Sequence, residues 1–272
     1  MRILTLPGVF RPISDTWLLA GALRELAPGA RVLDVCTGSG ALAVTAALAG
    51  AGDVTAVDVS RRAVLTAGLN ARLNGVAVRA RRSDLFAQLH DQRYDVIVCN
   101  PPYVPDPSGD RLPARGPQRA WDAGHDGRVI LDRLIAQAPR HLHPSGALLV
   151  VHSELCGTDE TLDGLGASGL DPRVVRRHRG PLGPLMRDRA DHLLAHGVLA
   201  PGQTEEEVVV IAGVLPAAGA HEDQPVSTSS ARPASTTSAR MLASIMRSAA
   251  RPSSSSMCAT ASRGTVTSKW RM

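Results

Sequence analysis

The residues best suited to chemistry are Asn100-Pro101-Pro102-Tyr103, which follow the short apolar run Val96–Cys99 directly. That run has the length of a buried strand and stops at a turn signal. The two prolines fix φ and remove two backbone donors, so the chain beyond the strand is stiff and its carbonyls stay where they are put. The result is a rigid cup at a strand end: one side-chain amide, bare carbonyl acceptors and one aromatic face. Such a cup suits a flat group bearing an NH2. Asn100 Oδ1 and the Pro101 carbonyl form the natural acceptor pair for its two N–H bonds, with the Tyr103 ring against its face.

A second group of residues is spaced for a nucleotide-like ligand. Asp34-Val-Cys-Thr-Gly-Ser-Gly40 stands between a strand-like and a helix-like stretch. Glycines such as Gly38 and Gly40 let a backbone turn tightly and let a ligand approach its amides. Asp58 lies 20 residues after Gly38, at the end of the next strand, where an acid accepts hydrogen bonds from both hydroxyls of a ribose. Asp84 follows a third strand. It either hydrogen-bonds an adenine amino group, directly or through the neighbouring backbone, or caps a helix from Leu85. Together these residues fit a Rossmann-type adenosyl site, for a dinucleotide or for S-adenosylmethionine. Ala43 fills the slot where a dinucleotide fingerprint favours a third glycine, which counts weakly against the dinucleotide.

The elements that position these residues follow from periodicity. Residues 12–26 form a leading helix, capped by Ser14 or Asp15, with Leu18, Leu19, Ala22, Leu23 and Leu26 on one stripe. Strands are expected at Val32–Val35, Val54–Val57, Val76–Arg79, Val96–Cys99, Ala147–His152, Arg173–Arg179 and Glu207–Val214. Helices are expected at Ala41–Ala49, Arg62–Asn74 (apolar at Ala63, Leu65, Ala67, Leu69 and Leu73), Arg128–Leu142 and Thr158–Ala167. A helical insertion at Pro184–His196 separates the last two strands, and Asp106–Gln118 read as a long surface loop. Alternating strands and helices require crossovers. The fold class is therefore α/β: seven strands, mostly parallel, with helices on both faces.

The chain has 272 residues, and its composition changes at residue 217. Residues 217–272 are rich in Ser, Ala, Thr, Arg and Pro and read as a disordered tail, leaving one core over residues 1–216. The tail holds seven of the 30 basic residues and two of the 25 acidic ones, so residues 1–216 carry 23 of each and are neutral. The net charge of +5 belongs to the tail and is poor support for a nucleic-acid-binding fold. Arg79, Arg81 and Arg82 form a local basic cluster that a solvated strand end explains equally well. Cys36, Cys99, Cys156 and Cys258 are scattered, with no C-x-x-C pair, so neither a metal site nor a disulfide framework is expected. The N-terminus lacks the apolar core of a signal peptide, and Val35–Gly52 is broken by four glycines. The expectation is a cytoplasmic protein without a membrane span.

Asp34–Gly40, Asp58, Asp84 and above all Asn100–Tyr103 resemble the HemK-type class I S-adenosylmethionine-dependent methyltransferases, which methylate a glutamine side chain in peptide-chain release factors. Phe10-Arg-Pro-Ile-Ser-Asp-Thr-Trp-Leu-Leu19 resembles the short branch of that family, without the N-terminal helical domain. Ala120-Trp-Asp-Ala-Gly-His-Asp-Gly-Arg128 resembles the loop that follows Asn-Pro-Pro-Tyr there. The resemblance spans residues 8–214. It implies a Rossmann-like methyltransferase domain over 1–216, S-adenosyl-L-methionine as cofactor and no metal. It assigns Asn100, Pro101 and Tyr103 to catalysis, and Asp34, Gly38, Gly40, Asp58, Asp84 and Asn100 to the cofactor. Asp15 and Thr16 would close over its methionine end, or serve only to cap their helix. A small activating protein is known for related short forms. Two features depart from the pattern: Cys36 stands where the first glycine is usual, and Asp106–Arg119 do not align.

Three functions compete at this level. The first is N-methylation of a glutamine amide in a release factor. The second is N6-methylation of a nucleic-acid adenine flipped into the same cup; a neutral domain with two Tyr and two Phe weighs against it. The third is a silent member binding a partner through the tail, which intact Gly38, Asp58 and Asn100 argue against. Trp121 is expected to plug its loop against the core rather than to line a substrate mouth.

Overall fold

The computed structural model describes residues 1–107 and 117–217. The expected tail from residue 218 on, and most of the loop expected at 106–118, lie outside the described residues. Seven strands form one sheet: β1 (Arg31–Val35), β2 (Asp53–Asp58), β3 (Arg79–Arg82), β4 (Tyr94–Cys99), β5 (Leu142–Ser153), β6 (Asp171–Pro181) and β7 (Glu205–Val214). Their order is β3-β2-β1-β4-β5-β7-β6. The first five run parallel, and β7 is antiparallel to both β5 and β6.

Successive strand residues point to opposite faces, so the near-continuous apolar runs build two cores. Val32, Val54, Val96, Val98 and Leu149 face α1 (Ser14–Leu26) and α2 (Ala41–Leu48). Leu33, Ile97, Leu148 and Val150 face the residues Leu131, Leu134 and Leu165 of α4 (Val129–Gln137) and α5 (Thr158–Ala167). The insertion between β6 and β7 forms two short helices, α6 (Pro184–Asp188) and α7 (Ala190–Ala195). They build a third, smaller cluster around Leu182, Met186, Leu193 and Leu199 with Val104.

Several expectations need correction. The third strand is Arg79–Arg82 rather than Val76–Arg79. Pairing with β2 begins only at Thr55↔Arg79, and the charged residues are tolerated because β3 is an edge strand with a solvated side. The α1 N-cap is Ile13, which makes no side-chain cap; Ser14 and Asp15 lie inside the helix. Pro139 ends α4 early, in a 3-10 turn over Ala138–His141. In α3 (Arg61–Leu73) the alanines face inward while Leu65, Leu69 and Leu73 are exposed. Close approach explains the choice: a Cβ on Gly40 would sit 2.7 Å from Ala67 Cα, so only small residues fit on that face.

His152 on β5 is fully buried. Its Nδ1 donates to the Ser153 carbonyl at 2.8 Å and, among the described residues, Nε2 has no partner. Burial lowers its pKa from 6.5 to about 4. Below pH 6.5 the unfolded chain takes up a proton that the folded chain refuses, so the stability present above that pH is lost on acidification. Replacing His152 by leucine removes this term. Urea titrations of both proteins are expected to show the variant gaining about 3 kcal/mol relative to wild type between pH 7 and pH 4; a constant difference would remove His152 from the acid response.

Candidate active site

The strand order reverses at β1, whose neighbours β2 and β4 are reached by crossovers in opposite directions. Ligands of open α/β sheets bind at such switch points, beyond the carboxyl ends of the strands. Parallel register brings the expected residues to that edge: Val35 pairs with Val57 and with Cys99, and Asp58 pairs with Arg82. The glycine turn, Asp58, Ser83-Asp84 and Asn100 therefore emerge side by side. They line one cavity of about 690 Å³, within the range of small-molecule sites.

The turn after β1 is held from beneath. Asp34 is fully buried and does not line the cavity. Its Oδ2 accepts from Thr37 Oγ1 at 2.5 Å and from the Ala43 amide at 3.0 Å. Burial pushes its carboxyl up to about 7 despite these bonds. Stability therefore falls as pH rises toward 7, opposite to the His152 trend, and this term cancels between wild type and the His152 variant. Gly40 is also absent from the cavity wall: at φ +79° it caps α2 and packs on Ala67. Of the residues expected to meet the cofactor, Asp34 and Gly40 thus shape the turn from outside the cavity, and Gly38 is on its surface. Cys36 adopts φ +57°, the left-handed region that explains why glycine is usual there.

Asp58 sits across from the turn. Its Oδ2 accepts from the Gly38 amide at 3.0 Å, and its Oδ1 from the Ser60 amide at 2.8 Å. Both oxygens are fixed in direction, and a carboxylate oxygen accepts more than one donor. Asp84 is no helix cap; it lines the cavity and pairs with Arg133 at 3.0 Å. Ser83 closes the turn in its place, donating to the Leu85 carbonyl and accepting from the Gln88 amide. An adenosyl group fits this donor set: backbone amides at the turn, an oriented carboxylate one strand away, and a polar turn beyond β3.

The Asn-Pro-Pro-Tyr end is tied to α1. Asp15, 2% exposed, accepts through Oδ2 from Asn100 Nδ2 at 3.1 Å and from the Tyr103 hydroxyl at 2.8 Å. Asn100 Nδ2 also donates to Thr16 Oγ1 at 3.1 Å, and Thr16 Oγ1 donates to Asp15 Oδ1 at 3.2 Å. Burial first, and then the Asp15 carboxylate, push the Tyr103 phenol well up and keep it a donor. These bonds settle which end of the Asn100 amide faces where, because an ionised carboxylate can only accept. Nδ2 turns toward α1, and Oδ1 is left for the cavity.

The loop Ala120–Arg128 folds back on this motif. The Val104 amide donates to the Trp121 carbonyl at 2.8 Å, and the Ala123 amide to the Val104 carbonyl at 3.1 Å. Gly127, at φ +77°, passes so close that a Cβ would lie 2.4 Å from the Tyr103 carbonyl oxygen. Trp121 both lines the cavity and packs on the cluster of α6 and α7. Sequence reasoning missed three residues that brace or line this site. Asn70 ties the turn to the N-terminus, its Nδ2 donating to the carbonyls of Leu4 and Ser39 at 2.8 Å each. Arg189 pairs with buried Asp122 at 2.6 Å. Glu206 lines the cavity from β7. No local pattern marks them, because their partners are tens of residues away. Among the described residues there is no group of three or more metal-capable side chains and no helix long and apolar enough to cross a membrane.

The chain is similar to known proteins. The methyltransferase small domain family model matches residues 1–110. A Methanocaldococcus jannaschii protein, provisionally named a protein N5-glutamine methyltransferase, is 34% identical over 180 residues, covering 66% of this chain and 90% of its own. The ribosomal protein uL3 glutamine methyltransferase of Bradyrhizobium diazoefficiens is 44% identical over 125 residues, covering 44% of this chain and 39% of its own. The release factor glutamine methyltransferase of Geobacter sulfurreducens is 38% identical over 151 residues, covering 53% of each. This chain thus spans about half or less of those two bacterial proteins. The solved Mtq2-Trm112 complex of E. cuniculi, which methylates the eRF1 termination factor, contains a similar fold. It matches with a TM-score of 0.52 at 24% identity, over 76% of this chain and 99% of that one. With nine-tenths of the archaeal relative matched, and with the glycine turn, Asp58 and Asn-Pro-Pro-Tyr gathered on one cavity, the chain belongs to the HemK-type glutamine methyltransferases, a branch of the class I S-adenosylmethionine-dependent N-methyltransferases.

Proposed function

We propose that this protein methylates the side-chain amide nitrogen of a glutamine in a protein of the translation machinery, with S-adenosylmethionine as donor. The observation that carries the reading is the Asn100 amide, whose nitrogen is consumed by Asp15 and Thr16 and whose oxygen alone is left for a ligand. A release factor is the first substrate to test. Ribosomal protein uL3 is the second, because the bacterial relatives carry both names. These names, and the neutral charge of residues 1–216, favour protein over a nucleic-acid adenine. A cytoplasmic reaction is part of the same proposal, in keeping with a substrate of this kind.

An amide nitrogen is a poor nucleophile because its lone pair is delocalised into the carbonyl. Asn100 Oδ1 and the Pro101 carbonyl are proposed to hold its two N–H bonds, which fixes the direction of the lone pair. These hydrogen bonds strengthen as the nitrogen turns positive, so they favour the transition state over the ground state. Tyr103 supplies a π face to the growing charge, and its hydroxyl stays anchored on Asp15. S-adenosylmethionine, when bound, would supply the electrophilic methyl group, its methyl–sulfur bond breaking to leave a neutral thioether, and the methylated nitrogen would release one N–H proton to solvent. Asp58 would hold its ribose hydroxyls, Gly38 would approach it with backbone, and Asp84 with the adjacent turn would meet its adenine. Positioning supplies much of the remaining acceleration.

For Asp58→Ala, calorimetry is expected to show cofactor affinity weakened about 10- to 100-fold, the worth of one or two hydrogen bonds to a charged group. Unchanged affinity would withdraw Asp58 from the ribose. The substrate is tested by incubating the protein with labelled S-adenosylmethionine and a release factor, uL3 or DNA, and locating the label by mass spectrometry. Label on a glutamine amide supports the reading; label on adenine alone overturns it. Adding a small activating protein of the Trm112 kind to parallel reactions shows whether the chain needs one.

A further inference from the structure

Glu206 is a buried carboxylate, 6% exposed, in the wall of the active-site cavity. Its Oε1 accepts from the Gly183 amide at 2.6 Å, at the entrance to α6. Among the described residues its Oε2 has no hydrogen-bond partner and the carboxylate is in no ion pair. Its charge is felt at Tyr103, after burial and Asp15, and at Cys156, which places it beside the Asn-Pro-Pro-Tyr end of the cavity. Of the two arginines in the insertion, Arg189 is engaged by Asp122 and the Pro105 carbonyl, and neither is paired with Glu206 among the described residues. A buried carboxylate oxygen without a donor is costly. One that borders a binding cavity is best explained by a donor that arrives with the ligand.

We infer that Glu206 Oε2 is a substrate-binding group that accepts an N–H of the polypeptide next to the methylated glutamine. This rests on the glutamine reading above. It extends that reading from the reacting amide, held by Asn100, to the chain that carries it. The donor is either a backbone N–H or a basic side chain flanking the glutamine; a carbonyl or an acidic residue at that point would be repelled. The insertion takes part through Gly183, whose amide fixes the carboxylate from the far side.

The Glu206→Gln variant is informative because Gly183 constrains it. The glutamine carbonyl must take the Gly183 N–H, so the amide nitrogen falls where Oε2 was and sets a donor against the substrate's donor. Steady-state kinetics with a glutamine peptide are expected to show its KM raised tenfold or more, with kcat and cofactor affinity unchanged. An unchanged KM would overturn the inference, since a water reorients to serve either group. Two peptides run with the wild-type enzyme identify the donor and need no variant. Methylating the backbone nitrogens flanking the glutamine raises KM if a backbone N–H is used, and replacing flanking basic residues by alanine raises it if a cation is used. If neither change moves KM, the inference fails. Failure of the glutamine reading itself is distinct: wild-type enzyme then leaves the glutamine peptide unmethylated.

Discussion

Replacing Asn100 by alanine is expected to lower kcat for methyl transfer by about 10²- to 10³-fold or more, the scale of removing one preorganised transition-state hydrogen bond. Cofactor affinity should change little, because the glycine turn and Asp58 are held together independently of β4: the Gly38 amide meets Asp58, and Asp34 braces the turn. Calorimetry and single-turnover kinetics on one preparation check both halves. Retained turnover would end the assignment of the motif to catalysis. Asn100→Asp is the sharper companion. It keeps the shape and an acceptor, but sets a second carboxylate on the buried Asp15 that Asn100 Nδ2 reaches at 3.1 Å. Like charges at that range in a buried site repel, so this variant should also be inactive. Recovery of activity at low pH, where one carboxyl takes a proton, would mark electrostatics as the cause.

Asp15→Asn is the second large effect, expected to cost about 10- to 100-fold in kcat. Asp15 is proposed as a positioning residue that acts through Asn100 and Tyr103. As a carboxylate it can only accept, which holds Nδ2 inward and Oδ1 toward the cavity. An amide at position 15 presents a donor as well, so Asn100 can flip and bring N–H bonds to face those of the substrate amide. Tyr103 loses its charged acceptor at the same time. The signature is a fall in kcat with cofactor affinity unchanged. The family resemblance assigns Asp15 and Thr16 to the methionine end of the cofactor, and that role predicts the reverse: weaker cofactor binding. The two roles are thus separated by one titration. Thr16→Val, which removes only the second acceptor for Nδ2, should give a smaller fall in kcat, while Thr16→Ser should restore it.

The sequence was most legible where chemistry and backbone agree over a short span. Val96–Cys99 followed by Asn-Pro-Pro-Tyr marks both a buried strand and its terminus. The glycine turn and Asp58 follow the same strand-to-turn logic one and two strands away. It was less legible wherever burial depends on a distant neighbour. The edge strand β3 reads three residues early, at Val76–Arg79, because Arg79, Arg81 and Arg82 face solvent and leave no apolar pattern. Leu65, Leu69 and Leu73 of α3 read as apolar positions alongside Ala63 and Ala67, yet only the alanines are buried, because Gly40 must touch Ala67. Asp34 and Gly40 read as ligand contacts and instead shape the turn from behind.

What the sequence by itself determined is the kind of site. A side-chain amide locked before two prolines selects a flat, N–H-bearing group, and a glycine turn with an acid 20 residues on selects an adenosyl ligand. Only the tertiary structure decided how that site is oriented and walled. Asp15 lies 85 residues from Asn100, and Gly183 lies 23 residues from Glu206. Neither pair leaves a local pattern, because each hydrogen bond exists only once the helix, strand or insertion has packed. The direction of the Asn100 amide, and with it the nitrogen it can hold, is set by a carboxylate that the fold brings in from the first helix.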